Sequence, residues 1–347
     1  MTGIQEIARA TGLSKSTVSR ALRGLPSVSE TTTRSVQRTA ERLGYIPSSS
    51  AAGLATGRTR AIGVLVPVID RWFYVKVLEG IDAQLRAAGY DLILYNLGGR
   101  GGDRERVFHR SILRKRVDAL VVLCLVFDPG EREQLQAMEY PVIVVGGPGP
   151  GVRHMGIDDR KAGFAATSHL IELGHTAIAH IGGEDESGLN AAVPLERREG
   201  FIAALAAARI EARDEWIVNG GFVFEGGYRA MKELLSKPGP RPTAVFAASD
   251  EMAFGALAAI AQEGLSVPGD ISVIGVDGHQ NGEVLGLTTI RQNPYQQGVD
   301  ATRVLLAELE GRGHTESFEP APFDLVRRRS TGAPRPLDPE DSLDRVR

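Results

Sequence analysis

One cysteine, Cys124, stands alone in 347 residues. No disulfide within the chain is available, which excludes the stapled scaffolds of small secreted domains. Cys124 sits in the apolar run Val121 to Val126; it reads as a small side chain on a buried strand, with no second thiol or patterned base to make it a nucleophile. Aromatics are scarce, at 6% with two tryptophans. No apolar run approaches the ~18 residues a membrane span needs, and no export signal precedes the first helical pattern. The chain therefore reads as cytoplasmic. Catalytic patterns are missing too. There is no Gly-x-Ser-x-Gly elbow and no carboxylate pair in an evident catalytic setting. The glycines Gly98-Gly99 and Gly101-Gly102 fit neither a Walker nor a dinucleotide pattern and read as a surface loop. His169, His175 and His180 lie six and five apart across a helix end and a strand, which is not metal-ligand spacing on one element. No cofactor, no metal and no enzyme activity are expected.

A single sign of charge is also missing from the average, since the net is -3. That average hides an asymmetry. Residues 1–60 hold nine Lys/Arg against three Asp/Glu, a net of +6, and the remainder 31 against 40, a net of -9. A basic head on an acidic body fits a nucleic-acid-binding unit joined to a different one.

The head has the matching pattern. Thr2 with Gln5 reads as a capping box that starts a helix bearing Ile4, Ile7 and Ala8 on one face. Gly12 permits a tight corner. Ser14 caps a second helix whose Val18, Ala21 and Leu22 face inward, while Lys15, Ser16, Thr17, Ser19 and Arg20 face out. A short, cationic, hydroxyl-rich face suits the major groove of DNA, and the pair is a helix-turn-helix. Ser29 caps a third helix with Val36, Ala40 and Leu43 as its stripe and Gly44 as its stop. The Ser- and Gly-rich stretch 48–57 is too short to be a stable helix alone, and Arg58-Thr59-Arg60 completes a hinge.

From Ala61 strands and helices alternate. Strands are expected at 61–67, 91–95, 119–126, 141–145, 178–181, 215–218, 244–247, 271–276 and 323–326. Helices are expected at 75–88, 103–116, 129–138, 160–173, 196–208, 225–236, 250–263 and 295–310. Apolar strands separated by helices mean parallel sheets covered on both faces. Two runs of them mean two Rossmann-like subdomains with a cleft between their strand ends. The expected fold is an all-α helix-turn-helix domain followed by a two-subdomain α/β body. The boundaries expected are 1–47 for the DNA-binding domain, 48–60 for the hinge and 61–332 for the body. The Pro- and Asp-rich tail 333–347 reads as disordered.

To about residue 332 the chain resembles the lactose-repressor/galactose-repressor (LacI/GalR) family of bacterial transcription regulators. The head matches at Ile7-Ala8 through Ser16-Thr17-Val18-Ser19-Arg20-Ala21-Leu22, and the hinge at Leu43 to Pro47 and Leu54 to Thr59. The body matches at His169 to His175, Arg197 with Gly200-Phe201, Phe246 to Ala253, Val267 to Asp277 and Leu287 to Ile290. The resemblance implies a periplasmic-binding-protein-like (type I) body with three crossovers: an N-subdomain of about 61–157 and 292–320, and a C-subdomain of about 158–291 and 321–332. It implies a nucleoid-associated homodimer that represses transcription from a near-palindromic operator. Leu337 and Leu343 are isolated, so no leucine-repeat tetramer is expected. Lys15, Ser16 and Arg20 would touch base edges, and Ser14, Thr17, Ser19, Ser29, Thr32 and Tyr45 phosphates; Arg23 would do either. Ser48, Ala51, Leu54 and Ala55 would form a hinge helix on DNA, with Leu54 either a minor-groove wedge or a linker residue packed on the body. The implied effector is small and polar, most often a sugar, with a purine or phosphorylated metabolite the other reading. Its expected contacts are Asp70, Arg71, Trp72, Phe73 and Tyr74 in the loop after the first strand, Phe222 as a stacking face, and Arg197, Ser249, Asp250, Asp277 and Gln292 as polar partners. Arg71-Trp72 stand where relatives often have Asn-Pro, and Ser249 where they often have Asn, which points to a different ligand. An exported solute-binding protein without DNA function is the alternative.

Overall fold

The computed structural model describes residues 3–45, 58–98, 104, 116–137, 140–147, 153–183, 192–312 and 319–335. The chain divides into two compact units, Met1–Arg60 and Ala61–Arg347.

The first unit is three helices, α1 (Ile4–Thr11), α2 (Lys15–Leu22) and α3 (Glu30–Arg42). The cap of α1 lies one residue later than the Thr2–Gln5 spacing predicts: Gly3 is the N-cap, and its N–H donates to Glu6 Oε2 at 3.0 Å. The charged Glu6 is the better acceptor at a positive helix end than the Gln5 amide. Gly12 (φ +70°) turns the corner. Ser14 accepts the Thr17 N–H at 3.1 Å and Ser29 the Thr32 N–H at 3.3 Å, so both later helices start at serines. Ile7, Val18, Ala21 and Val36 are fully buried and bring the three helices together. Each such Ile or Val contributes about 1.5–3 kcal/mol through the water it sheds.

The second unit holds two sheets. In the first, β1 (Ala61–Val66), β2 (Asp91–Asn96), β3 (Ala119–Leu123), β4 (Val142–Val145) and β5 (Arg153–Met155) run parallel in the order β2-β1-β3-β4-β5. In the second, the strands are β6 (Ile178–Gly182), β7 (Ile217–Asn219), β8 (Ala244–Ala247), β9 (Ser272–Asp277), β10 (Thr288–Arg291) and β11 (Asp324–Val326). Their order is β11-β10-β9-β8-β6-β7, with β11 antiparallel to β10. The helices are α4 (Trp72–Ala88), α5 (Pro129–Gln136), α6 (Asp159–Glu172), α7 (Ala192–Ala207), α8 (Phe224–Ser236), α9 (Asp250–Gln262), α10 (Gln280–Leu285) and α11 (Pro294–Leu309). The chain leaves the first sheet after β5, returns with α11, whose Ala301 and Leu305 join the first sheet's core, and leaves again to pair β11 with β10. That makes three crossings.

Several expectations change. The strand expected at 215–218 begins as a 3-10 turn over Asp214–Trp216, because Trp216 is drawn into the core while Asp214 and Glu215 stay in water. Arg213 caps the Trp216 ring from 4.5 Å. The aromatic segment after β1 is not a loop: Trp72, Phe73 and Tyr74 form the first turn of α4. Residues 333–335 lie within the described chain, where the exposed Arg335 pairs with Asp270 at 3.0 Å. Of the expected helix at 103–116 only Arg104 and Arg116 are described, and 336–347 lie outside the described residues.

Two helix seams place the site. A Cβ on Gly200 of α7 would lie 2.1 Å from the Arg160 carbonyl oxygen, and one on Gly163 of α6 2.3 Å from that of Arg197. On Gly80 of α4 and Gly298 of α11 the distances would be 2.1 and 2.2 Å, to the Tyr295 and Val77 carbonyls. The backbones touch, and only glycine fits. The first seam sets Arg197 against the start of α6. The second docks α11, and with it Gln297, on the first subdomain.

Candidate functional site

In the first unit α2 presents Lys15, Ser16 and Arg20 to solvent, with Thr17 and Ser19 half-buried beside them. Ser14 Oγ lies 2.8 Å from both Ser16 Oγ and Thr17 Oγ1, and Ser29 Oγ 2.8 Å from Thr32 Oγ1. Each cluster sits at a helix N-terminus, where unpaired N–H groups and the helix dipole favour an anion such as phosphate. Arg23 is exposed just after α2, and Tyr45 packs partly on the core. Ser48, Ala51, Leu54 and Ala55 lie outside the described residues.

In the second unit a cavity of about 800 Å³ opens at the carboxyl ends of the strands of both sheets. Pro67 follows β1, Cys124 β3, Gly146 β4, Gly156 β5, Ser249 β8 and Gln292 β10, and Asp277 ends β9; all seven line it. Ligands of open α/β sheets bind at such strand ends. Three of its wall residues, Cys124 (φ +48°), Phe222 (+56°) and Asp277 (+131°), carry left-handed backbone that costs a non-glycine residue about 1–3 kcal/mol. Burial pushes the Cys124 thiol up to about 12, so it stays protonated.

Arg197 is the centre of the polar wall and only 4% exposed. Its Nε and Nη2 both reach Asp159 Oδ1 at 2.8 Å, Nη1 donates to the Ala248 carbonyl, and Asp277 Oδ1 lies 4.0 Å from Nη1. Burial opposes the charge on Arg197, but Asp159 and Asp277 outweigh it and hold its pKa above the ordinary value. Burial also raises Asp159, against the pull of Arg197; the forked contact is that of an ion pair. Asp277 is raised by burial, and it accepts Gln292 Nε2 at 2.8 Å. Gln297 Nε2 in turn donates to Gln292 Oε1 at 3.0 Å.

Of the residues the sequence pointed to, Arg71, Phe73, Tyr74, Arg197, Phe222, Ser249, Asp277 and Gln292 meet at this cavity. Asp70, Trp72 and Asp250 do not line it. Asp70 turns to solvent and pairs with Arg71 at 2.5 Å. The Trp72 ring leans on His279 with centroids 4.8 Å apart, and its Nε1–H donates to Gln280 Oε1 at 2.6 Å. Asp250 is absorbed by the fold, accepting from Thr289 Oγ1 at 2.7 Å and from the His279 N–H at 2.8 Å. Its neighbour Glu251 lines the cavity instead, because successive helical side chains point about 100° apart. Sequence reasoning missed Glu251, Asp159 and Gln297. Each stands within five residues of a residue it did name or beside a recognisable helix start, but helical phase cannot be read from spacing alone. The three histidines are structural: His175 bonds Thr243 and Ser272, His169 bonds Thr331, and His180 stacks between Phe201 and Phe246. Among the described residues no cluster of His, Cys, Asp or Glu could hold a metal, and no helix is long and apolar enough to cross a membrane.

Burial first, then Asp277, pushes Glu251 up to about 7 from an ordinary 4.5. A carboxyl raised on folding contributes stability that is present below its unfolded pKa and lost as pH rises through the folded value. Glu251→Gln is therefore expected to gain stability relative to the parent between pH 4.5 and 7. Melting of both proteins at pH 5 and pH 8 tests this, and a gap of constant size would contradict it.

Residues 3–48 match the family described as bacterial regulatory proteins, lacI family, and residues 167–331 the periplasmic binding protein-like domain. The HTH-type transcriptional repressor PurR of Vibrio campbellii (strain ATCC BAA-1116) is 34% identical over 333 residues, covering 94% of this chain and 98% of the relative. A transcriptional regulator CelR–cellobiose complex is similar at 28% identity and a TM-score of 0.70, over 95% of this chain and all of that one. The fold is shared with a lac repressor dimer bound to operator and the anti-inducer ONPF, at a TM-score of 0.83 and 24% identity over 96% of this chain and 99% of that one. With its cationic helix-turn-helix and its two-sheet body around a cavity that holds a buried arginine in its wall, this chain belongs to the LacI family of bacterial regulatory proteins, DNA-binding regulators of transcription rather than enzymes.

Proposed function

We propose that the chain is a repressor that binds a near-palindromic operator as a homodimer, its grip set by a neutral mono- or disaccharide in the cavity. The observation that carries this reading is the buried Arg197, forked on Asp159 beside Asp277, in a cavity that also offers Phe73 and Phe222. A guanidinium and carboxylates fork onto pairs of hydroxyls, and aromatic faces cover the C–H surfaces of a sugar ring. A volume of about 800 Å³ is within the usual range for small-molecule sites. The cavity wall sets Arg71, Arg197 and Arg229 against Asp159, Asp277, Glu233 and Glu251, so it offers no excess of positive charge to a phosphorylated ligand. The cellobiose complex of a similar regulator supports a sugar.

On the DNA side, α2 would enter the major groove while the Ser14 and Ser29 clusters hold phosphates. Residues 48–57 would fold as a hinge helix only on the operator, with Leu54 wedged between central base pairs from the minor groove. The head would then span residues 1–47, the hinge 48–60 and the body 61–332.

The test starts by selecting duplexes from a random library with the full-length chain. A near-palindromic, salt-sensitive site is expected, with occupancy that shifts when glucose, galactose, ribose or cellobiose is added. A chain with no salt-sensitive preference for any duplex, with or without sugars, would sink the proposal. Leu54→Ala should lose most operator affinity while its melting still responds to the sugar. Unchanged affinity would remove the wedge and leave Leu54 as a linker residue.

A further inference from the structure

The amides that follow Asp277 form a directed chain. The Asp277 carboxylate can only accept, so the Gln292 group facing it must be the NH2, and Gln292 Oε1 points the other way. That oxygen can also only accept, so Gln297 must face it with its own NH2. The amide orientations thus follow from the carboxylate. What is left over is Gln297 Oε1.

This oxygen is buried and has no hydrogen-bond partner. Gln297 is 3% exposed and belongs to the cavity wall. Three other buried side-chain atoms among the described residues lack partners, on Tyr95, Arg153 and His180, and none of those residues lines the cavity. A buried acceptor without a donor is costly, so a donor is expected when the site is in use. The relay also spans the crossing between sheets. Asp277 ends β9 of the second sheet, and Gln297 lies on α11, docked on α4 of the first subdomain by the Gly80–Gly298 seam.

We propose that Gln297 is a specificity residue of the cavity, its Oε1 accepting a hydrogen bond from one donor of the effector, a hydroxyl in a sugar or a ring N–H in a purine. This assignment rests on the cavity being the effector site. It demands a donor at one fixed position of the ligand. A ligand with only a methoxy group or a hydrogen there leaves the oxygen stranded, and the relay prevents the amide from turning over to suit it.

The experiment is a cycle on the full-length chain. Calorimetry first finds the strongest binder among glucose, galactose, ribose, cellobiose, hypoxanthine and glucose 6-phosphate. The monodeoxy analogues of that sugar are then compared in the parent, in Gln297→Met and in Gln297→Leu. One deoxy position is expected to weaken the parent about tenfold. The same change should have roughly no effect in the two apolar variants, once the acceptor is gone. A parent with no such position, or variants that keep the full penalty, overturns the assignment and gives the oxygen to an ordered water. Should hypoxanthine or glucose 6-phosphate bind best, the neutral-sugar reading falls. The Gln297 assignment is then judged by the same cycle with N-methyl hypoxanthines or deoxy sugar phosphates. A parent that binds no member of the panel overturns both.

Discussion

Arg197→Met is expected to abolish effector control and to destabilise the second unit by about 3–5 kcal/mol, the cost of breaking a buried ion pair from one side. Methionine can fill much of the space but not the charge. Asp159 loses both of its 2.8 Å contacts, Asp277 its nearest cation, and the Ala248 carbonyl its donor. The defect has a sign in pH. Burial already holds both carboxyls above their ordinary values with the guanidinium present, and without it they rise further. Stability tied to a raised carboxyl is present below the unfolded pKa, here 3.8, and is lost as pH rises through the folded value. The variant should therefore be closest to the parent near pH 4 to 5 and furthest from it at neutral pH and above. Urea unfolding of both proteins at pH 5 and pH 8 measures the gap; equal stability at pH 8 would show that Arg197 is not the partner those carboxyls depend on. A sugar that binds the parent should no longer shift the variant's melting or its operator occupancy.

Arg20→Ala is expected to weaken operator binding by about 1–3 kcal/mol per recognition helix, and to relax preference at one base pair in each half-site. Arg20 is exposed on the same face of α2 as Lys15 and Ser16, and its guanidinium can meet two acceptors of a guanine at once. Ser29→Ala should behave differently. It removes a hydroxyl from the start of α3, so its loss should be smaller and uniform across sequences, and part of it should appear as helix stability. Titrating both variants against the selected operator and single-base variants of it, at two salt concentrations, separates the two roles. A loss for Arg20→Ala that is equal on every sequence would make it a phosphate contact.

Much of this was legible along the chain because it is written in local chemistry. Ser14 and Ser29 start their helices by bonding N–H groups three residues on, and Gly12 and Gly44 stop theirs with positive φ, at +70° and +62°. The apolar strands show as runs because both faces of a parallel sheet are covered. The first cap slipped by one residue, from Thr2–Gln5 to Gly3–Glu6, since two acceptors stand side by side and only charge distinguishes them. At the cavity the resemblance supplied Arg197, Asp277 and Gln292, and the structure brings them together. Asp70, Trp72 and Asp250, also among the expected contacts, do not line the wall, though each stands next to a residue that does.

What the sequence determined by itself is most of the described helices and strands, though not the short β5, β10 and α10, together with the basic head and the identity of the charged groups, because caps, periodicity and charge act over a few residues. What the tertiary structure alone decided is which neighbour faces the cavity: Glu251 and not Asp250, Phe73 and not Trp72, Gln297 unforeseen. The reason is geometric. Each step along a helix turns a side chain by about 100°, and the phase is set by where the helix docks, at seams such as Gly163–Gly200 and Gly80–Gly298 that join segments distant in sequence.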